Sequence, residues 1–423
     1  MKKIVTIFTG LVNIDKNLVG TAVVYKKIAD IYSSLGYIVN MVIPEESNLD
    51  DKSINFYLYN TKNNNNLINK SSVVIFGAYP PIEPLIYSYK KNKIIISYLW
   101  SIAPIGSLEF KDFKNIKKQK ELHNYIVASY NLSLLASDKI YCRDEGVRKV
   151  VFGSLISLFK ADLENYINNK QFKNILEVAP FGIEKKKIKT KNKEYLYRGK
   201  YQNISKKDFI LLWNGGIWNW NDGKSLIEAM NVLKKENIKL VFQGFAHPSN
   251  NQKLSTEAKN TIKLAKKYNL INNSVFFIDK WIPYNERHKY LLEADAGIIT
   301  SPNIPEANLF FKTRIYDYLY SKLPTILFDC EAFSQTISNN GLGLVCKTGD
   351  FNDLARNIKK LAKSKKIKNE IKQNISKYQK EIYWENTLKP VYDFAKHPKK
   401  IKRDKNNINM INKLIDLNKD IKI

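Results

Sequence analysis

Short apolar strands alternate with helical segments along two blocks of the chain. In the first block, strand-like Lys3–Phe8 and Tyr37–Ile43 enclose a helical pattern that begins at Gly20. The second block begins with strand-like Phe209–Asn214 and keeps the same alternation as far as Leu342–Cys346. Such alternation favours mostly parallel sheets with helices on both faces. We therefore predict an α/β chain with two doubly wound, Rossmann-like domains.

A polar, lysine-rich stretch separates the two blocks. Glu184–Lys207 has little apolar periodicity, which is typical of a linker between domains. The predicted organisation is an N-terminal Rossmann-like domain at residues 1–183, a basic linker at 184–207, a C-terminal Rossmann-like domain at 208–380, a helix at 381–397 and a basic tail at 398–423.

The net charge of +29, from 69 Lys and Arg against 40 Asp and Glu, predicts attraction to an anionic partner. Heavy use of Lys, Asn and Ile offers codon bias as the alternative explanation. Nucleic acid is not the expected partner, because the basic residues are spread out and form no helix-turn-helix, zinc-finger or aromatic-basic pattern. An anionic membrane surface is a possible partner, and its candidate contacts are Lys111, Lys114, Lys117, Lys118, Lys399, Lys400, Lys402 and Arg403.

The three cysteines predict neither a disulfide framework nor a metal site. Cys142, Cys330 and Cys346 include no C-x-x-C pair, and their number is odd.

The apolar run Ile4–Val12 is short and contains polar residues, so we interpret it as a buried strand rather than a signal peptide. No apolar stretch approaches the roughly 20 residues that span a bilayer. The expected location is therefore the cytoplasm.

Ligands of open α/β sheets bind beyond the carboxyl ends of the strands, which selects the loops there. The loop after Phe209–Asn214 carries Gly215 and Gly216, where backbone could approach a ligand closely. Trp218 could stack on a base or sugar, and Asp222 is predicted to cap the next helix, whose N-terminus suits a phosphate. The alternative is a tight turn with tryptophans that pack between domains.

A second loop leads into a predicted helix at Phe310–Ser321 and carries charges of both signs. Lys312 and Arg314 could neutralise a diphosphate, while Asp317 could accept hydrogen bonds from ribose hydroxyls. Glu306 precedes them in the same loop. The alternative is a solvated helix with an ion pair between residues three apart.

Weaker candidates lie on other loops. His247 and Trp281 each follow a predicted strand of the second block, where they could contact a nucleotide; structural packing is the alternative for both. In the first block we predict Gly20 and Glu109 to contact an acceptor substrate.

Several sequence runs resemble a branch of the family 4 glycosyltransferases, the group 1 type with the GT-B fold. These runs are Trp213–Asp222, Phe242–Pro248, Trp281–Arg287, Ala294–Gly297 and Glu306–Pro324. The resemblance implies two Rossmann-like domains that face each other across a cleft. It implies a nucleoside-diphosphate sugar of the UDP or GDP type in the C-terminal domain and an acceptor in the N-terminal domain. It also implies retention of anomeric configuration, no metal cofactor, and a helix that returns to the N-terminal domain after residue 380.

The resemblance also suggests residue roles. Glu306 corresponds to the sugar-hydroxyl ligand and Asp317 to the ribose ligand, although their separation of 11 positions is wider than the common family spacing. The usual Arg and Lys after the first strand of the second domain are missing, so Lys312 and Arg314 are expected to neutralise the diphosphate.

The expected function is a retaining glycosyltransferase. It would move a sugar to a glycan or lipid-linked glycan acceptor in bacterial surface polysaccharide synthesis, as a cytoplasmic protein that can bind the inner membrane face peripherally. The alternatives are a non-catalytic partner subunit with the same fold, an epimerase or phosphorylase, and a basic nucleic-acid-binding protein.

Overall fold

The computed structural model divides the chain into two compact units. The first comprises Met1–Phe181 and Thr387–Ile423, and the second comprises Gly182–Asn386. The structure describes residues 3–16, 18, 20–109, 115–186, 195–245, 254–283, 286–402 and 405–418. Both units are α/β, as the alternation predicts.

The first unit is built on a seven-stranded sheet in which every neighbouring pair is parallel. Its strands are β1 Ile4–Phe8, β2 Ile38–Ile43, β3 Ile54–Leu58, β4 Val73–Phe76, β5 Ile94–Leu99, β6 Lys139–Cys142 and β7 Leu176–Val178. Its helices before the second unit are α1 Gly20–Ser34, α2 Thr61–Lys70, α3 Ile82–Lys90, α4 Ala103–Leu108, α5 Ile116–Ala136, α6 Glu145–Ser157 and α7 Leu163–Asn168. The strand order is β3-β2-β1-β4-β5-β6-β7.

The second unit contains a six-stranded parallel sheet in the order β10-β9-β8-β11-β12-β13. Its strands are β8 Phe209–Asn214, β9 Ile238–Gln243, β10 Val275–Ile278, β11 Ala296–Ile299, β12 Thr325–Phe328 and β13 Gly343–Cys346. Its helices are α8 Gly223–Val232, α9 Thr256–Lys267, α10 Arg287–Glu293, α11 Pro305–Leu309, α12 Arg314–Tyr320, α13 Ser334–Asn339, α14 Phe351–Lys363, α15 Lys365–Tyr378 and α16 Trp384–Thr387.

The central strands are continuous apolar runs because helices cover both faces of a parallel sheet. In β1, Val5, Ile7 and Phe8 are fully buried, and Phe8 stacks on Phe76 of β4 with ring centroids 5.1 Å apart. In β8, every residue from Phe209 to Trp213 is buried. These buried runs fix the positions of the strand ends, and therefore of the loops that could bind ligands.

The C-terminal segment returns to the first unit and completes its core. It contains α17 Lys389–Lys396 and α18 Lys405–Asn418. The hydroxyl of Tyr37 donates to the carbonyl of Ala395 at 3.0 Å, and Ile411 of α18 is buried in the apolar cluster around β1 and β4. The tail after residue 398 is therefore partly a structural element. The single helix expected at 381–397 is interrupted at Leu388.

A buried lysine from a later segment of the chain binds the C-terminal end of helix α5. Lys160 is 2% exposed, and its ammonium group donates to the carbonyl oxygens of Leu134 and Leu135 at 2.8 Å each, and to that of Ser137. The last carbonyls of a helix have no partner within the helix, and a cation suits the negative end of the helix dipole. Lys160 satisfies both requirements where water does not reach.

We expect Lys160→Met to destabilise the first unit by about 3 kcal/mol, because the substitution leaves buried carbonyl oxygens without a donor. For a unit of this size, the loss corresponds to a melting temperature lower by roughly 6–12 °C. Thermal unfolding measured beside Lys170→Met, which changes an exposed lysine nearby, checks the expectation. Equal melting temperatures for the two variants would contradict it.

Candidate functional site

The strand order of the second sheet reverses between β8 and β11. The connections that leave these two neighbouring strands run to opposite sides of the sheet, which opens a crevice at their carboxyl ends. The two loops selected from the sequence, at residues 215–222 and 301–314, follow β8 and β11 respectively. Topology therefore brings the main predicted site residues to one place.

The glycine loop after β8 has a backbone that side chains would disturb. Gly215 has a φ of +99°, in the left-handed region, and its N–H donates to the carbonyl of Gln243 at 2.8 Å. A Cβ on Gly216 would lie 2.7 Å from Cζ2 of Trp218. Trp218 in turn stacks on Trp220, with ring centroids 5.8 Å apart. The glycines therefore allow an aromatic platform to lie directly on the loop.

Asp222 caps helix α8, as predicted. Its Oδ1 accepts the N–H of Ser225 at 2.8 Å, and its own N–H donates to the carbonyl of Thr300 at the end of β11. The Thr300 hydroxyl donates back to the carbonyl of Asp222 at 2.7 Å. Asp222 thus joins the two loops of the crevice through the backbone; a contact between its carboxylate and a ligand stays a prediction.

Arg314 links helix α12 to the glycine loop. Its guanidinium lies 4.3 Å from the ring centroid of Trp213, and its Nη2 donates to the carbonyl of Gly216 at 2.8 Å. The residue is 9% exposed, and its Nη1 is buried with no hydrogen-bond partner among the described residues. Burial lowers the pKa of Arg314 from its ordinary value. A buried cation with an unsatisfied donor is costly, and an anion would relieve this cost.

Tyr318 fixes the same helix to the sheet. Its hydroxyl accepts the N–H of Asn214 at 3.1 Å and donates to the carbonyl of Leu212 at 2.9 Å. Its ring lies against Gly297, where a Cβ would come within 2.4 Å of it. Only a residue without a side chain fits at that point of β11, so helix α12 can approach β8 and β11 closely.

Asp317 is enclosed by groups that sequence reasoning did not select. Its Oδ1 lies 2.7 Å from Nη2 of Arg287, and its Oδ2 accepts the side-chain N–H of Asn214 at 3.1 Å. Burial raises the pKa of Asp317, although Arg287 and Arg314 oppose the rise. The alternative interpretation, a solvated helix with an ion pair between Arg314 and Asp317, does not describe this helix, because Asp317 is buried and its ion-pair partner is Arg287. Arg287 begins helix α10, and its place at the end of the run Trp281–Arg287 was the available signal.

Glu306 and Lys312 form an ion pair with each other. Glu306 lies in helix α11 and Lys312 in the segment that follows, because the helix predicted at Phe310–Ser321 begins only at Arg314. The backbone is extended at Phe310, with φ −122° and ψ 113°. This break buries the adjacent rings of Phe310 and Phe311 and turns Lys312 back towards Glu306. Lys312 therefore does not share a helix face with Asp317.

Glu331 is a buried acid that the sequence reasoning missed. It follows β12, is 3% exposed, and its Oε1 has no hydrogen-bond partner among the described residues. Burial raises the pKa of Glu331, while the nearby Lys312 opposes the rise. The rule that selected the other loops applies here as well, because Glu331 stands just beyond the carboxyl end of a predicted strand.

Of the two weaker candidates in the second unit, the structure describes Trp281. Trp281 packs against Gly244, where a Cβ would lie 3.3 Å from the indole ring. His247 lies outside the described residues, so its role stays a prediction. Among the described residues, no group of three or more His, Cys, Asp and Glu side chains could hold a metal ion.

In the first unit, the strand order reverses between β1 and β4. The loops at this point contain Gly10, where a Cβ would lie 2.4 Å from the carbonyl oxygen of Tyr79, and Gly77, where one would meet the hydroxyl of Tyr25. Of the predicted residues, Gly20 begins α1 at the end of the segment that contains Gly10, and Glu109 follows α4; their contact with an acceptor stays a prediction. The structure adds Gly10 and Gly77 to this candidate acceptor site.

Comparison with protein families identifies a domain in the second unit. Residues 200–379 match the family model of the glycosyl transferases group 1. No curated protein sequence matches the chain.

Solved structures share the fold over nearly the whole chain. HepE of Anabaena, solved in complex with UDP, has a TM-score of 0.64 at 12% identity, covering 93% of this chain and 98% of its own. Sucrose-phosphate synthase of Thermosynechococcus elongatus has a TM-score of 0.62 at 12% identity, covering 92% and 97%. WaaG, a glycosyltransferase involved in lipopolysaccharide biosynthesis, has a TM-score of 0.61 at 12% identity, covering 92% and 98%. The fold is therefore GT-B, as the resemblance implies.

We expect Gly216→Ala to displace the Trp218 indole, because the added methyl group has no room beside the ring. Such overpacking costs about 1–3 kcal/mol, so the melting temperature should fall and the tryptophan emission spectrum should shift. Gly153→Ala, at a helical position where a Cβ meets nothing within 4 Å, is the matched control. An unchanged spectrum for Gly216→Ala would show that the platform does not depend on this glycine.

Proposed function

Because the chain carries a group 1 glycosyltransferase domain, we propose that this glycosyltransferase uses a nucleoside-diphosphate sugar of the UDP or GDP type as its donor. The sugar passes, with retention of anomeric configuration, to a glycan or lipid-linked glycan acceptor. The complex of HepE with UDP supports the donor class. The role of WaaG in lipopolysaccharide biosynthesis supports a bacterial surface glycan as the product.

The observation that carries this proposal is the unsatisfied guanidinium of Arg314. Its Nη1 is buried beside the glycine loop, at the reversal point of the strand order. A diphosphate there would supply the missing acceptor, and a guanidinium can hold two phosphate oxygens at once. Negative charge grows on the diphosphate as the sugar leaves. A fixed cation therefore stabilises the transition state more than it stabilises the bound donor.

In this proposal, both members of the ion pair between Glu306 and Lys312 bind the donor. In the proposed complex, Lys312 leaves Glu306 and approaches the diphosphate. The Glu306 carboxylate then accepts hydrogen bonds from sugar hydroxyls. Each buried charge keeps a partner throughout, so neither pays the full cost of burial alone.

Asp317 has a supporting and a binding role in this proposal. Its carboxylate orients Arg287 and Asn214 at the end of β8. A carboxylate oxygen has more than one lone pair, so ribose hydroxyls can add to these contacts without displacing them. Trp218 offers an apolar face to the base or the sugar.

We expect Glu306→Gln and Lys312→Met each to lower kcat/KM for the nucleotide sugar at least about tenfold, the loss expected from one charged hydrogen bond. The measurement is turnover of a panel of UDP- and GDP-sugars, with and without glycan acceptors. Glu370→Gln and Lys366→Met change exposed residues of α15 in the same way and serve as matched controls.

Wild-type kinetics in both site variants would move the donor site away from this crevice. Donor binding without turnover of any sugar in the panel would instead favour the non-catalytic partner subunit.

We propose further that the first unit binds an anionic membrane surface. Among the described residues, no helix is both long and apolar enough to cross a bilayer. The end of α6 and the short helix α7 instead expose large apolar side chains: Phe159 is 61% exposed, and Leu163 and Ile167 are each 71% exposed. Leu163 and Ile167 are four residues apart and share one face of α7.

Exposed lysines lie next to α7. The side chain of Lys402 is 83% exposed and lies 3.6 Å from Glu164 of α7, and Lys170 and Lys173 are exposed just after the helix. Of the other predicted contacts, Lys117, Lys118 and Lys399 are exposed, while Lys400 donates to the carbonyl of Asn92. Lys111, Lys114 and Arg403 lie outside the described residues. Each basic residue near an anionic bilayer contributes about 1 kcal/mol.

We expect the protein to sediment with anionic vesicles at low salt and not with neutral ones. Binding should fall steeply by about 0.5 M salt, where the Debye length is only roughly 4 Å. Leu163→Ser combined with Ile167→Ser should weaken binding by at least about tenfold, since it removes the exposed apolar area that would enter the bilayer. Val232→Ser, at an exposed apolar residue of the second unit, is the control. Equal vesicle binding by both variants would exclude α7 as the contact.

A further inference from the structure

Two partly exposed aromatic side chains lie side by side at the carboxyl ends of neighbouring strands in the first unit. Tyr79 follows β4 and Trp100 follows β5, and their ring centroids are 5.9 Å apart, with the ring planes inclined at 54°. Strand β4 is also one of the two strands at which the strand order reverses. The aromatic pair therefore lies at the edge of the sheet where ligands of such folds bind.

Trp100 is held by hydrogen bonds on both sides. Its indole N–H donates to the hydroxyl of Tyr25 in α1 at 3.2 Å, and its backbone carbonyl accepts Nη1 of Arg143 at 2.9 Å. Tyr25 is 1% exposed, so the indole nitrogen faces the interior while part of the ring stays exposed. A ring that is already fixed loses little conformational entropy when a ligand packs on it.

Three glycines leave room for this arrangement. Gly10, in the loop after β1, has a φ of +64°, and a Cβ there would lie 2.4 Å from the carbonyl oxygen of Tyr79. A Cβ on Gly106 in α4 would lie 3.0 Å from the hydroxyl of Tyr79. A Cβ on Gly77 would lie 1.8 Å from the hydroxyl of Tyr25. Tyr79 is therefore enclosed by the loop after β1 and by α4, and it reaches the point of strand reversal.

A polar group lies next to the aromatic pair in the chain. Ser101 is 6% exposed, and its Oγ has no hydrogen-bond partner among the described residues. Arg143 pairs with Asp144 at 3.1 Å in addition to its bond to Trp100, so its charge is compensated by a carboxylate. This part of the first unit therefore offers two aromatic faces and a hydroxyl group, a combination that suits a neutral ligand with an apolar face and a polar rim.

We propose that Tyr79 and Trp100 form an acceptor-binding platform on which a pyranose ring stacks. The inference rests on the proposed glycosyl transfer and deepens it, because it names the residues that hold the acceptor and the group that they hold. One face of a pyranose carries C–H groups that pack on aromatic rings, and its rim carries hydroxyl groups, for which Ser101 is a partner. An alkyl chain would contact the rings but would leave the Ser101 hydroxyl without a partner.

The test is saturation-transfer NMR on the full-length protein with the methyl glycosides of glucose, galactose, mannose and N-acetylglucosamine. Uridine and 1-butanol serve as probes for a base and an alkyl chain. We expect saturation transfer to the ring C–H protons of at least one glycoside. Trp100→Leu should weaken the binding of that glycoside at least about fivefold, the loss expected for one aromatic contact. The affinities for UDP and GDP should not change, because their proposed site lies in the second unit.

The matched control is Phe152→Leu, which removes a partly exposed ring from another aromatic pair of the first unit. Phe152 lies in α6 and contacts Phe172, with ring centroids 5.1 Å apart, and Phe172 precedes β7 at the amino end of that strand. We expect Phe152→Leu to bind the glycoside as the wild type does.

Kinetics provide a second measurement. With a nucleotide sugar that the protein turns over, Trp100→Leu should raise KM for the glycoside acceptor by the same factor and change kcat little, because stacking is alike in the bound and the transition state. Trp100→Phe keeps an aromatic face and should retain most of the binding. Tyr79→Leu removes the other ring and replaces Trp100→Leu if that variant folds poorly.

Equal losses in Trp100→Leu and Phe152→Leu, or saturation transfer to uridine or butanol alone, would overturn the inference. Binding of UDP or GDP without binding of any glycoside would also overturn it and would leave the donor proposal in place. Glycoside binding that depends on Trp100, in a protein that binds no nucleotide, would instead remove the proposed function and keep the sugar platform.

Discussion

The buried guanidinium of Arg314 makes the contacts that hold together the crevice of the second unit. It bonds to the carbonyl of Gly216, covers the ring of Trp213 and begins helix α12. One side chain therefore sets the distance between the loop after β8 and the helix reached from β11. Its Nη1 has no hydrogen-bond partner among the described residues, so the side chain that organises this crevice also has a donor available for an anion.

The charged groups around Arg314 are paired across different loops. Asp317 of α12 pairs with Arg287 of α10, and Lys312 pairs with Glu306 of α11. A buried pair of this type costs desolvation energy that its own attraction only partly returns, so it gives weak support to stability. Its main contribution is positional, because each ion pair fixes the location of a charged group before a ligand binds. Such preorganisation reduces the reorganisation needed during the reaction.

The sequence predicts the sheets well and the contacts between loops poorly. Strand Phe209–Asn214 was predicted with its observed bounds because it is an apolar run that is followed at once by the two glycines of a turn. Helix α2 was missed because its sequence is mostly Asn and Lys, and only Leu67 and Ile68 supply buried apolar side chains. The site loops followed from topology alone. Arg287 did not, because it meets Asp317 from a different loop, and no periodicity in the sequence records that contact.

The charge balance of the proposed donor crevice differs from that of the chain. Arg287, Lys312 and Arg314 stand against Glu306, Asp317 and Glu331, three charges of each sign, whereas the whole chain carries +29. The excess positive charge therefore lies outside this cluster, and the cluster does not attract a diphosphate by net charge. In the proposed complex, affinity for the diphosphate comes from an exchange of partners within a buried network, which salt screens weakly. The exposed lysines around α7 are screened strongly, so ionic strength separates the two proposed anion-binding surfaces of this protein.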